Sequence, residues 1–256
     1  MNRYYQSNAV YGEIGRREAS PFVWASGNSW ILLYADASEQ LRVILSVRGR
    51  STLVQDSPDK ARADLAESKA TQLADAATLP FNKIVFDDNS PAIEEVNLYD
   101  HPSAKPRQVS LIQLKAYFSK MGLEVTQRET PKAINDASSS AYHNWQRTNL
   151  GAIKVTDIDL LRVEPHRDMP HEIIELKRSY YALENWSPYP QDFTNFNLIA
   201  GLASVARVRF TIAYNVRQKS PWLDDASRLS LFSYSKTVGA SGIGIVTFDD
   251  FYNGNY

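Results

Sequence analysis

Short runs of apolar residues separated by turn formers dominate the first third of the chain, and the clearest of them predicts a β-hairpin. Trp30–Tyr34 and Leu41–Val47 flank a turn through Asp36, Ala37 and Ser38, and Gly49 ends the second run. Residues 58–77 change to a helical pattern, because Pro58 suits a first turn and the Asp, Lys, Arg, Ala and Glu residues after it bring few β-branched interruptions. Ile84–Phe86 and Val96–Tyr99 predict two short strands around an acidic turn that contains Pro91. His101–Arg107 is proline-bearing and poor in apolar residues, which makes it the expected boundary between a β-rich region at 1–105 and a second domain at 106–256.

In that second domain Ser110 can cap a helix carrying Leu111, Leu114, Tyr117 and Phe118 on one face, with Gly122 at its stop. A strand at Leu123–Gln127, a polar loop at Lys132–Ser140 and a short helix at Ala141–Arg147 are expected next. Val155–Val163 and Glu172–Lys177 then read as two strands joined through Pro165 and Pro170. Phe193, Phe196, Ile199, Leu202 and Ala206 mark one helical face, and Val208, Phe210, Ile212 and Tyr214 alternate as in a half-buried strand. Strand, helix and strand in succession make a right-handed crossover with parallel pairing. The expected fold is therefore α/β, a mixed central sheet flanked by helices.

Composition narrows the function classes. The chain of 256 residues is 43% hydrophobic and 22% charged, with no apolar run long enough to span a bilayer and no secretory pattern at its start, so a cytoplasmic protein without a membrane partner is expected. It has no cysteine, which excludes disulfides and thiolate metal sites. A formal charge of −1 argues against a surface coated with cations, although a local basic groove needs only a few well-placed residues.

The chemistry concentrates on the two strands at 155–177. Residues two apart on a strand share a side, so Glu175 and Lys177 project together, as do Asp157 and Asp159, with Ile158, Leu160, Ile174 and Leu176 behind them. If the two strands form a hairpin, the carboxylates of Asp159 and Glu175 converge. Two carboxylates and water suit a hard octahedral cation such as Mg²⁺ or Mn²⁺. Beside them Lys177 would balance charge and stabilise a phosphate.

Asp157-Ile158-Asp159-Leu160-Leu161 followed by Glu172-Ile173-Ile174-Glu175-Leu176-Lys177-Arg178 resembles the signature of the PD-(D/E)xK nucleases. The close match covers about 20 residues, and the order of flanking elements extends the similarity over 108–216. The resemblance implies a restriction-endonuclease-like core and metal-dependent hydrolysis of phosphodiester bonds in nucleic acid, with DNA as the expected substrate. It makes Asp159 and Glu175 the metal ligands and Lys177 the catalytic lysine. The proline that precedes the family's first aspartate is absent, which leaves Asp157 as a competitor for Asp159. Some relatives add a glutamine from the following helix, a role that would fall to Gln191; an acidic residue from an earlier helix has only Glu129 as a distant match.

Arg178, Arg207 and Arg209 are candidates for phosphate contacts, and Tyr180, Tyr181, Trp186 and Tyr189 for base stacking, against the plainer reading of surface charge and loop packing. His101, His143, His166 and His171 lack metal-ligand spacing. Gly239–Gly244 is read as a flexible turn before a strand at Ile243–Phe248 rather than as a phosphate loop. Two other classes stay open: a catalytically inactive nuclease-fold binding module, and a structural or assembly protein whose N-terminal region contacts a protein partner or a second copy.

Overall fold

A computed structural model describes residues 8–90, 92–125, 140–151, 153–164, 166 and 168–256. The chain forms two compact units, one built from the residues up to Val23 together with Asp159–Tyr256, the other from Trp24–Ile158. It enters the first unit with helix α1 (Ala9–Gly15) and strand β1 (Phe22–Val23), leaves for the second, and returns at Asp159.

The unit Trp24–Ile158 contains β2 (Ser29–Ala35), β3 (Leu41–Gly49), α2 (Pro58–Ala77), β4 (Phe81–Phe86), β5 (Glu95–Tyr99), β6 (Arg107–Ser110), α3 (Leu111–Lys120), α4 (Ala141–Asn149) and β7 (Lys154–Asp157). Its sheet has the order β6-β5-β4-β3-β2-β7, with β3 and β4 parallel across α2. The β2–β3 hairpin and α2 lie where the apolar pattern puts them. Ser57 Oγ caps α2 by accepting from the Lys60 N–H at 3.1 Å, and Ser110 and Gln113 form a reciprocal capping box on α3. Alternation sorts β3 between two layers. Val43, Leu45 and Val47 join Leu114, Phe118, Tyr142 and Trp145 in one apolar cluster, while Ser46 and the fully buried Arg48 bond to Glu67 of α2.

His101–Arg107, expected as a domain boundary, is the connection between β5 and β6. These strands pair from Leu98↔Arg107 to Glu95↔Ser110, so the polar, proline-bearing stretch is a hairpin turn inside one sheet. Of the strand expected at Leu123–Gln127 the described part ends at Val125, which makes an isolated antiparallel bridge to Gly151. The loop expected at Lys132–Ser140 lies outside the described residues up to residue 139, as do the candidate Glu129 and Pro165.

Beyond Ile158 come β8 (Leu160–Glu164), β9 (Met169–Ser179), α5 (Phe193–Ala206), β10 (Arg209–Gln218), β11 (Leu223–Ser235), β12 (Gly239–Thr247) and α6 (Phe248–Asn253). With β1 they form a sheet of order β1-β8-β9-β10-β11-β12. The β8–β9 hairpin is antiparallel, and β9 and β10 are parallel across α5, as the sequence predicts. Mixed α/β architecture is thus established for each unit.

Three local expectations change. Val155–Val163 is not one strand: β7 pairs with β2 in one sheet, β8 pairs with β1 and β9 in the other, and the break falls at Ile158 and Asp159. Strand β10 is buried from Phe210 to Asn215 on both sides rather than on one. The reason is cover on both faces: Phe210 lies against Phe196 of α5, and Thr211 bonds through its Oγ1 to Glu172, which is held in turn by Tyr256 beyond α6. Gly239–Gly244 is itself strand, paired along β11 with a bulge opposite Leu231 and Phe232 where Gly244 adopts a φ of +150° that a Cβ would strain.

Candidate active site

The register of the β8–β9 hairpin decides whether Asp159 and Glu175 meet. Leu160 pairs with Ile174 and Leu161 with Ile173. One step further along, Asp159 stands opposite Glu175, the relation in which antiparallel side chains share a face. At this point the backbone hydrogen bonds of β8 have stopped, and the Asp159 side chain continues them. Its Oδ2 accepts from the Leu176 N–H at 2.8 Å, which fixes the carboxylate against the peptide between Glu175 and Lys177. The Asp159 carbonyl accepts from the Tyr11 hydroxyl at 3.0 Å, so α1 holds the same residue from its main chain.

Glu175 is 4% exposed, and its Oε1 lies 2.8 Å from Lys177 Nζ. This i,i+2 pair is the expected consequence of strand period, and it faces α5: Lys177 Nζ sits 5.4 Å from the centre of the Phe196 ring. At the start of α5, Asp192 places Oδ2 4.0 Å from the same ammonium. Burial alone would depress the Lys177 pKa, but the negative charges of Glu175, Asp192 and Asp159 outweigh it and raise the pKa. Three carboxylates therefore act on one lysine.

The sequence candidates separate clearly. Asp159, Glu175 and Lys177 come together, whereas Asp157 pairs with Leu32 on the other sheet. Gln191 is exposed in the single 3₁₀ turn Pro190–Asp192 that precedes α5, and its neighbour Asp192 is the residue that approaches Lys177. Arg178 lies one residue from Lys177 and so on the reverse of β9, where it pairs with Asp224 at 2.9 Å; burial lowers its pKa. Arg209 is also on that reverse face, 3.3 Å from the fully buried Glu172. Arg207 ends α5 in a left-handed conformation, a helix length of about 20 Å from Asp192. None of the three arginines is brought to the Asp159–Glu175–Lys177 cluster.

Glu172 organises the reverse face instead. Arg162 Nε reaches its Oε2 at 2.9 Å, and the Tyr256 hydroxyl lies 2.8 and 2.9 Å from its two oxygens. Arg162 also donates to the Phe251 and Tyr252 carbonyls and lies over the Phe22 ring, so the ion pair ties α6 and the C-terminal residues to β1 and β8. His143 is packed edge-on to Trp30, and burial pulls its pKa down to about 4. It lies in the other unit, against Trp30 and Tyr142.

Among the described residues no group of three or more His, Cys, Asp or Glu side chains is arranged to hold a metal ion. The donor set at the hairpin is two carboxylates. Their hard oxygens suit Mg²⁺ or Mn²⁺, which retain several waters and are commonly held by one or two carboxylates. A cation there would share Glu175 with Lys177. In ligand chemistry Asp159 and Glu175 suit such an ion.

No protein-family model matches this chain, and no curated protein sequence does. Among solved structures it is similar to the C-terminal domain of sex pheromone staph-cAM373 precursor from Staphylococcus aureus, at 9% identity over 86% of this chain and 73% of that one. The TM-score is 0.17, a likeness too slight to define a shared fold.

Proposed function

We propose that the unit containing β8, β9 and α5 has a restriction-endonuclease-like core and is a metal-dependent nuclease, hydrolysing phosphodiester bonds in DNA with Mg²⁺ or Mn²⁺. One observation carries this reading: the Asp159 carboxylate is bonded to the Leu176 amide, between Glu175 and Lys177, on a register that makes Asp159 and Glu175 cross-strand neighbours. Asp159 and Glu175 would hold the cation, which when bound lowers the pKa of water and polarises the phosphoryl group.

Lys177 has a narrower role than a generic base. Its pKa is raised, so it is an ammonium throughout the physiological range and serves as a fixed positive charge toward the phosphate. Asp192 and Glu175 hold that charge at the start of α5. Single replacement of Asp159, Glu175 and Lys177 by Ala is expected to lower Mn²⁺-dependent cleavage of a DNA substrate by about 100-fold or more each, the size of effect seen when one group stabilising the transition state is removed. Cleavage that persists in all three variants would sink the assignment.

The short Glu175–Lys177 pair also supports a second reading, an inactive module of the same fold in which lysine takes the place of the cation. Calorimetric titration with Mn²⁺ distinguishes the two. A nuclease binds the ion in a manner that Glu175→Gln weakens, and an inactive module does not.

A further inference from the structure

Four aromatic residues follow the Glu175–Lys177 strand, and the fold divides them. Trp186 is 4% exposed and stacks on Tyr214 with ring centres 4.2 Å apart and planes within 2°, so it is core. Tyr189 packs edge-on against it. Tyr180 and Tyr181 go the other way. They are 64% and 40% exposed, yet they stack on each other at 4.4 Å with planes inclined by 27°.

This exposed pair has a firm base. Tyr214 stands in register beside Lys177 on β10, and its hydroxyl lies 2.7 Å from the Tyr181 carbonyl and 3.0 Å from that of Ser179. The segment carrying the two rings is thereby tied to a residue adjacent to Lys177. The Tyr180 and Tyr181 hydroxyls lie 3.1 Å apart, and the hydrogen bond between them, more than their mutual repulsion, raises the Tyr181 pKa. The Tyr181 ring is therefore neutral where phosphate is charged.

Each ring covers one face of its neighbour, and stacking can continue on an outer face. Tyr180 is three residues from Lys177, just beyond the end of β9, so at most roughly 10 Å of backbone separates them. That is about three nucleotides at the ~3.4 Å rise of a stacked strand. Bases within a duplex have their faces covered, whereas unpaired bases stack on aromatic side chains irrespective of sequence.

We infer that Tyr180 and Tyr181 form a stacking platform for unpaired bases, so that the substrate of the Asp159–Glu175–Lys177 site is a single strand or a duplex with a single-stranded end. The assignment of a substrate rests on the nuclease reading; the platform itself does not. It is tested with the full chain in EDTA, by fluorescence anisotropy of a short dye-labelled oligothymidylate and of a blunt duplex. The wild-type chain is expected to bind the single strand in preference to the duplex. Tyr180→Ala/Tyr181→Ala should weaken single-strand binding by about 10-fold or more, the loss typical of one base–aromatic stack. Tyr180→Phe/Tyr181→Phe should retain it, because the rings remain.

Unchanged affinity in the Ala variant, an equal loss in the Phe variant, or preference of the wild type for duplex would overturn the platform. Cleavage assays with Mn²⁺ separate the two proposals. Binding through the tyrosines without cleavage would uphold the platform and sink the nuclease, and cleavage that ignores the tyrosines would do the reverse.

Discussion

Lys177 shows how much of the site one side chain's surroundings decide. Its ordinary pKa of 10.5 is raised, so the folded chain binds its proton more tightly than the unfolded chain does. The stability this contributes is complete below about 10.5 and is lost as pH rises through the higher folded value. Urea denaturation at pH values rising above 10.5 should show that loss in the wild type and a smaller one in Lys177→Met. Asp192→Asn removes one of three negative charges and should lower the Lys177 pKa, measurable by NMR titration of its ε-methylene. A Lys177 pKa unmoved by that change would remove Asp192 from the cluster. Asp159, Glu175 and Lys177 are legible in the sequence because strand period and a hairpin are local rules. Asp192 is not, because its approach depends on where α5 crosses β9. Arg178 could have been set aside from parity alone, since a residue next to Lys177 must face the other way.

Elements with strong local grammar were readable, and those shaped by distant partners were not. Helix α2 runs from Pro58 to Ala77 as the pattern predicts, with a capping serine before it. The run Val155–Val163 reads as a single strand, yet it serves two sheets, with β7 paired to β2 and β8 paired to β1 and β9. Which sheet each half joins is set by partners far away in the sequence. Helix ends supply a testable case. Arg207 closes α5 with φ of 57°, a left-handed conformation that glycine adopts without the Cβ penalty. Arg207→Gly should therefore leave stability unchanged or raise it by up to about 1 kcal/mol, the usual size of that penalty. Any Mn²⁺-dependent cleavage should also be unaltered, because Arg207 is far from Lys177. A fall in DNA binding in this variant, measured at low salt, would return Arg207 to the list of phosphate contacts.

At the scale of the whole molecule, the sequence suggests a cut near residue 105, but the contacts describe a continuous unit, Trp24–Ile158, set between two parts of another. A fragment starting at residue 106 would carry β6 and β7 without β5 and β2, the strands they pair with, and would lose β1 from the sheet of the candidate site. The register at the junction indicates a better division. Phe22 pairs with Arg162 and Val23 with Leu161, so the two chain crossings lie on adjacent antiparallel strands. A short glycine-containing turn can join such strands. Replacing residues 24–158 by that turn should give a chain that keeps β1, β8, β9 and α5 in place, unfolds cooperatively in urea and retains Mn²⁺-dependent cleavage if the site is a nuclease. Cooperative folding without cleavage, in a variant whose full-length parent cleaves, would assign Trp24–Ile158 a part in binding or orienting the substrate. Failure to fold would instead show that the unit of the candidate site depends on Trp24–Ile158 for its stability.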